Sequence, residues 1–206
     1  MLEWYRRDTD YRDLMKECEA MISAVAGHLN GRPSLRYRNR EISMHPPWER
    51  LTIEEAFRRY APLSVSEALR NDRFDELLAV HIEPYLGTEK PTILYDYPAA
   101  LGSLARLKRD DPALAERFEI YIGGLELANG FSELNDEAEQ RQRFLKTQEV
   151  RSGLGKVTHP IPEKFLQDLQ SLPESSGIAF GIDRLAMLFA DTAEIDAVSA
   201  WTPEEL

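Results

Sequence analysis

Apolar side chains recur at helical spacing in the first third of the chain, and short apolar strands follow in the second half. The clearest helical pattern runs from Tyr11 to Leu29, with Asp10 available as an N-cap and Asn30-Gly31 as a stop signal. A polar hairpin is predicted over residues 34–44. The capping box Thr52-Ile-Glu-Glu55 predicts a short helix, and residues 64–86 carry one or two more.

The second half of the chain predicts a sheet with helices packed on it. Strands are predicted at Pro91–Tyr97, Phe118–Gly123, Leu125–Phe131 and Gly177–Ile182, with a tight turn at Gly123-Gly124 and a further strand at Leu2–Arg6. Helices are predicted at Glu137–Leu145 (capped by Asn135), Glu163–Leu172 and Asp183–Leu188, with a loop over 151–162. We therefore predict an α+β fold: one domain over residues 1–206, built on an antiparallel sheet flanked by helices.

Composition narrows the function classes. The chain has 206 residues, enough for a real core, and its net charge of −11 argues against nonspecific nucleic-acid binding. Cys18 is alone, and the four histidines show no ligand spacing, so neither a disulfide framework nor a zinc site is predicted. No apolar run approaches membrane-spanning length, which favours a cytoplasmic protein without a membrane partner.

Glu119 and Glu126 are predicted to face each other across the hairpin. Two opposed carboxylates repel by up to about 1 kcal/mol unless a cation lies between them. They could be solvated edge residues, but strands this apolar have no other evident need for two acids. We therefore favour a site for Mg²⁺ and ATP phosphates.

Asn129 and Glu133 flank Gly130 at a predicted strand end. A carboxylate in a partly enclosed pocket needs a cation, and a substrate ammonium is one candidate. Glu133 could equally cap a turn while Asn129 stabilises the bend. The local pattern does not decide between these interpretations.

Gly177, Gly181 and Arg184 combine a glycine-spaced strand with an arginine at a helix start. Glycines allow close backbone approach to a planar ring, although they also mark tight packing. An arginine at a helix N-terminus opposes the helix dipole unless an anion is present. The pair of features therefore favours an anion site.

These segments resemble class II lysyl-tRNA synthetases along essentially the whole chain. Gly124-Leu-Glu-Leu-Ala-Asn-Gly-Phe-Ser-Glu-Leu-Asn-Asp136 is similar to that family's lysine-binding strand, Gly177–Arg184 to its third signature motif, and Met1-Leu-Glu-Trp-Tyr5 to the closing strand of its second motif. Ala128, Ala179 and the lack of an anticodon-binding domain resemble more closely the small paralogues that ligate β-lysine to elongation factor P. Ser132 and Asn135 resemble the synthetases.

The resemblance implies a role for each matching residue. Tyr5 would contact the substrate lysine, Glu133 its side-chain ammonium with Asn129 assisting, Glu3 the amino group, and Ala179 the pocket wall. Glu119 and Glu126 would hold Mg²⁺ and ATP, Leu127 would lie along the nucleotide, Gly181 would pack under adenine, and Arg184, as the catalytic arginine, would take the terminal phosphate.

The resemblance also implies that further parts of the family's catalytic domain precede Met1. These are the first motif, which forms the dimer interface, and a strand-loop whose arginine grips the α-phosphate. The sequence thus predicts a partial catalytic domain, either a fragment or a chain that has lost catalysis, and a homodimer if the N-terminal part were present. Three functions stay open: lysine or β-lysine transfer to elongation factor P, which we favour, tRNA charging, and non-catalytic binding of lysine or a partner.

Overall fold

A computed structural model describes residues 1–202 as eight strands and seven α-helices. The strands are β1 Leu2–Arg7, β2 Ser34–Tyr37, β3 Arg40–Ser43, β4 Glu49–Thr52, β5 Thr92–Pro98, β6 Leu114–Ile122, β7 Leu125–Ser132 and β8 Ser175–Phe180. The helices are α1 Tyr11–Asn30, α2 Ile53–Tyr60, α3 Val65–Arg70, α4 Phe74–Leu77, α5 Glu137–Gly153, α6 Glu163–Leu169 and α7 Ile182–Phe189.

Six strands form one sheet in the order β1-β8-β7-β6-β5-β4, and β2 and β3 form a separate hairpin. All pairs in the large sheet are antiparallel except β4 with β5. The α+β prediction is confirmed. Strand β4 was not predicted, because four residues that run directly into a capped helix carry too little alternation to register as a strand.

Helix α1 covers one face of the sheet and creates the main core. Its inward residues Leu14, Cys18 and Ile22 are fully buried in the same cluster as Ile120 and Phe180 of the sheet. The side chain of Asp10 caps the helix, and the positive φ of 69° at Gly31 ends it, as the sequence predicted. No helix within residues 1–202 is both long and apolar enough to cross a membrane.

A second core cluster lies between α2, α3, α4 and the far strands of the sheet. Thr52 forms the predicted capping box with Glu55. The rest of residues 64–86 is more broken than predicted: α3 and α4 are followed by a π-helical turn and a 3-10 turn that ends at Tyr85.

Two predictions around α5 are wrong. The cap is Asp136, whose side chain accepts a hydrogen bond from the backbone of Glu139, and not Asn135. The helix also continues to Gly153, two turns beyond the predicted end and into the predicted loop. Its sequence is polar on nearly every face, so hydrophobic periodicity could not define its length.

Candidate active site

Four of the predicted site residues form a row across neighbouring strands. Glu3 of β1 is the register partner of Ala179 of β8, Ala179 is the partner of Asn129 of β7, and Asn129 is the partner of Glu119 of β6. Side chains alternate between the faces of a sheet, so this row lies on the face away from α1. Ala128, by contrast, belongs to the core on the α1 side.

A second row lies two residues further along the same strands. It consists of Tyr5, Gly177, Phe131 and Arg117, again as successive register partners. Two residues of extended strand separate the rows by about 6.6 to 6.8 Å. The site face therefore has two parallel lines of side chains. The sequence predicted all four strands that carry them, and it predicted the pairing of β6 with β7.

The carboxyl group of Glu133 lies over Gly177 in the second row. A Cβ atom at Gly177 would be 2.4 Å from Glu133 Oε1 and 2.6 Å from Tyr5 Cε1, so glycine is what lets the carboxyl group and the ring meet there. Burial raises the pKa of Glu133 to about 7. The pKa of Tyr5 is also raised, first by burial and then by the negative charge of Glu133.

Among residues 1–202, no cation neutralises Glu133. Within residues 1–202 its side chain forms neither an ion pair nor a hydrogen bond, whereas most other partly buried acids of the sheet are paired with arginine or lysine. A half-buried carboxyl group without a partner is costly in the ionised form. The site is therefore chemically incomplete in a way that a positively charged ligand would correct.

Glu119 and Glu126 do not lie directly opposite each other, which corrects the sequence prediction. The two-residue turn pairs Glu126 with Tyr121, and a register shift between Ile120 and Tyr121 then leaves Glu119 opposite Asn129. The two acids still share a face: the pKa of Glu126 is raised by burial and then by the charge of Glu119. Glu83, which the sequence did not indicate, joins them, and burial raises its pKa as well.

Glu119 is held by three hydrogen bonds within this acidic cluster. Its Oε2 accepts hydrogen bonds from the hydroxyls of Tyr97 and Tyr121 at 2.5 and 2.7 Å, and its Oε1 accepts one from Arg117 Nη2 at 2.6 Å. Sequence reasoning missed Tyr97, Tyr121 and Arg117. Their signal was the strand alternation, which places Arg117, Glu119 and Tyr121 on one face of β6.

The predicted nucleotide-binding residues line one cavity of about 360 Å³. Its walls include Glu126, Leu127, Asn129, Ala179, Gly181 and Arg184. The Gly181 backbone N–H donates to the Leu127 carbonyl at 2.7 Å, which fixes the end of β8 against β7. Arg184 Nη1 donates to the Glu126 carbonyl at 2.6 Å, and its half-exposed guanidinium also lies 3.6 Å from the Glu126 carboxylate.

The donor set fits Mg²⁺ only together with a nucleotide. Among residues 1–202, no group of three or more histidine, cysteine, aspartate or glutamate side chains is arranged to hold a metal ion. Glu126 and Oε1 of Glu119, which keeps one free lone pair, supply hard oxygen ligands of the kind that Mg²⁺ prefers. The remaining ligands would be phosphate oxygens and water, as is usual for this ion.

Comparison with known proteins gives relatives of two kinds. An elongation factor P–(R)-β-lysine ligase from Photorhabdus laumondii subsp. laumondii is 38% identical over 98% of this chain and 64% of the relative, and one from Proteus mirabilis has the same three values. A lysine–tRNA ligase from Pelotomaculum thermopropionicum is 36% identical over 95% of this chain and 43% of the relative. The chain thus spans less than two thirds of the length of these relatives.

The family assignment is broader than either kind of relative. The family described as class II tRNA synthetases (D, K and N) matches residues 1–205, nearly the whole chain. The two rows of site residues and the cavity beside them lie within that match. The chain therefore belongs to the class II tRNA synthetases of the D, K and N group.

Proposed function

We propose that this chain carries the lysine-binding and nucleotide-binding face of an ATP-dependent ligase that activates lysine or β-lysine. The observation that carries the proposal is Glu133, a half-buried carboxyl group whose pKa is raised to about 7 by burial and which has no cationic partner within residues 1–202. A substrate ammonium supplies the missing charge. Tyr5, whose ring lies beside the carboxyl group over Gly177, encloses the same end of the ligand.

The spacing of the two rows supports a ligand of lysine length. Five staggered bonds of about 1.5 Å, from Cα to the side-chain nitrogen, span about 6 Å. The rows are about 6.6 to 6.8 Å apart. An ammonium at Glu133 therefore brings the head group of lysine over Ala179, between Glu3 and Asn129 of the first row.

The cavity next to that head group supports a bound nucleotide. Leu127 and Gly181 would lie against the nucleoside, and Arg184 would leave the Glu126 carbonyl to bind the terminal phosphate. Glu119 and Glu126 would hold Mg²⁺, which neutralises phosphate charge when it is bound. Arg184 is the catalytic residue of this proposal, because it would stabilise charge on the phosphate chain.

Positioning supplies most of the catalysis in this proposal. The lysine carboxylate attacks the α-phosphate of ATP in line, the bond to the β-phosphate breaks, and pyrophosphate leaves with its electron pair. An acceptor amine then attacks the activated carbonyl and AMP leaves. The carboxylate is already ionised at neutral pH, so the first step needs orientation and charge neutralisation rather than a general base.

For the acceptor, we propose a lysine of elongation factor P. Two relatives named as elongation factor P–(R)-β-lysine ligases match 98% of this chain, and Ala179 occupies the position where the head group would lie. A lysine–tRNA ligase matches 95% of the chain at 36% identity, so tRNA is the second candidate acceptor. We further propose a cytoplasmic location and a homodimer for the full-length protein.

ATP–pyrophosphate exchange by the purified chain tests the proposal, with β-lysine and α-lysine in separate reactions. Exchange with β-lysine is the expected result. A preference for α-lysine would move the assignment to the lysine–tRNA ligases. A folded chain that exchanges with neither, and that binds neither in calorimetry, would refute lysine activation by this chain.

A further inference from the structure

We propose that Arg117 is a positioning residue: it orients the side-chain amide of Asn129 so that the Nδ2 group of Asn129 faces the substrate carboxylate. This inference rests on the proposed function for its ligand, but its structural basis is independent. Arg117 is buried to about four fifths and belongs to β6 in the second row of the site face. It reaches back along the sheet to two residues of the first row.

Each of the three nitrogens of the Arg117 guanidinium donates a hydrogen bond. Nη1 donates to the Leu101 carbonyl at 2.9 Å, Nη2 donates to Glu119 at 2.6 Å, and Nε donates to Asn129 Oδ1 at 3.3 Å. The guanidinium carbon lies 4.4 Å from the ring centre of Tyr97. A planar fork that is stacked on a ring and bonded on three sides has little freedom to turn.

The orientation of Asn129 follows from this arrangement. A guanidinium can only donate, so the amide must turn its oxygen towards Arg117 and its Nδ2 away from it. Within residues 1–202, Nδ2 of Asn129 has no hydrogen-bond partner, although Asn129 lies beside Ala179 and lines the cavity. The group presented to the ligand is thus a donor, which suits a carboxylate oxygen and not an ammonium.

This assignment changes the role that the sequence resemblance gave to Asn129. In that resemblance, Asn129 would assist Glu133 in binding the side-chain ammonium. The acceptor atom of Asn129, Oδ1, however, already accepts a hydrogen bond from Arg117. The row spacing of about 6.6 to 6.8 Å also separates Asn129 from the Glu133 carboxyl group by the length of the lysine side chain. Glu133 and Asn129 would therefore recognise opposite ends of one ligand.

Calorimetry with two ligands tests the proposal. Lysine has the carboxylate, whereas 1,5-diaminopentane keeps both amines and lacks it. Arg117→Lys keeps the charge but removes the fork, and we expect about a tenfold loss of lysine affinity, typical of one lost bond to a charged group, with diaminopentane affinity within about twofold of wild type. Arg106→Lys is the matched control, because Arg106 is equally buried but pairs with Glu116.

Other outcomes overturn the proposal. An unchanged lysine affinity, or an equal loss for both ligands, would reduce Arg117 to a structural residue. Loss of ATP affinity with normal lysine affinity would mean that Asn129 faces a phosphate. Unfolding midpoints of both variants are compared so that a folding defect is recognised.

A second readout needs no ligand. The side-chain amide resonances of Asn129, assigned by their absence in Asn129→Asp, are expected to shift in Arg117→Lys and not in Arg106→Lys. If wild type binds neither ligand, the proposed function fails while these resonances still decide the positioning claim. Unshifted resonances refute it.

Discussion

Replacing Glu133 by glutamine is expected to stabilise the protein above neutral pH while it removes lysine binding. The pKa of this carboxyl group rises from 4.5 to about 7 on folding because of burial. Folding therefore favours the protonated form. Below pH 4.5 the group is protonated in both states and costs nothing; as the pH rises through about 7, the folded protein must hold an ionised carboxylate and stability is lost.

The size of the effect follows from the shift. About 1.4 kcal/mol per pKa unit gives an upper limit of about 3 kcal/mol, and partial exposure reduces this to about 1 to 2 kcal/mol. Urea unfolding at about pH 5 and about pH 8 measures the difference in the free energy of unfolding between wild type and Glu133→Gln. Glutamine keeps the shape of the side chain. Subtracting one protein's value from the other's cancels the contribution of the other titrating groups. A variant no more stable than wild type at the higher pH, or a difference independent of pH, would refute the reasoning. Added lysine should stabilise wild type only.

Three further changes probe different parts of the structure. Gly177→Ala places a methyl group 2.4 Å from Glu133 Oε1 and should lower lysine affinity by about tenfold or more with a small change in stability, measured by calorimetry and urea unfolding. Gly130→Ala, whose methyl group would lie 2.6 Å from the ring of Phe118, should instead cost about 1 to 3 kcal/mol of stability through core overpacking, and a cost near zero would contradict the register of β7. Burial raises the pKa of Cys18 to about 12, so a thiol reagent should label it only after unfolding; labelling of the native protein would contradict its position in the core.

Much of the fold could be predicted because local signals agree with tertiary packing. The α1 stripe, its cap at Asp10 and its end at Gly31 are local, and so is the hairpin turn at Gly123-Gly124. The register of β7 was not predictable to the residue. The two-residue turn pairs Glu126 with Tyr121, and one extra residue in β7 then moves Glu119 from the position opposite Ala128 to the position opposite Asn129, a shift that hydrophobic alternation does not encode.

Part of the candidate site could be predicted, because some of its residues belong to recognisable motifs. Residues that act only through neighbouring side chains could not be predicted. The sequence indicated Glu133, Asn129 and Arg184 because polar and charged groups near glycines stand out in apolar strands. Arg117 did not stand out, because an arginine near the start of a strand ordinarily reads as solvated. Its importance depends on three partners brought together by the sheet, which no spacing along the chain reveals.

The strand order also determines when this site can exist during synthesis. Within the described residues, β1 pairs with β8, which is separated from it by about 170 residues. A ribosome adds about 5 to 20 residues per second, so β1 emerges roughly 10 to 30 seconds before its partner strand. During that interval Glu3 and Tyr5 lack the strand with which they pair among the described residues. The candidate site face is therefore completed last, and a nascent chain stopped before β8 would have a largely formed core under α1 but an incomplete candidate site.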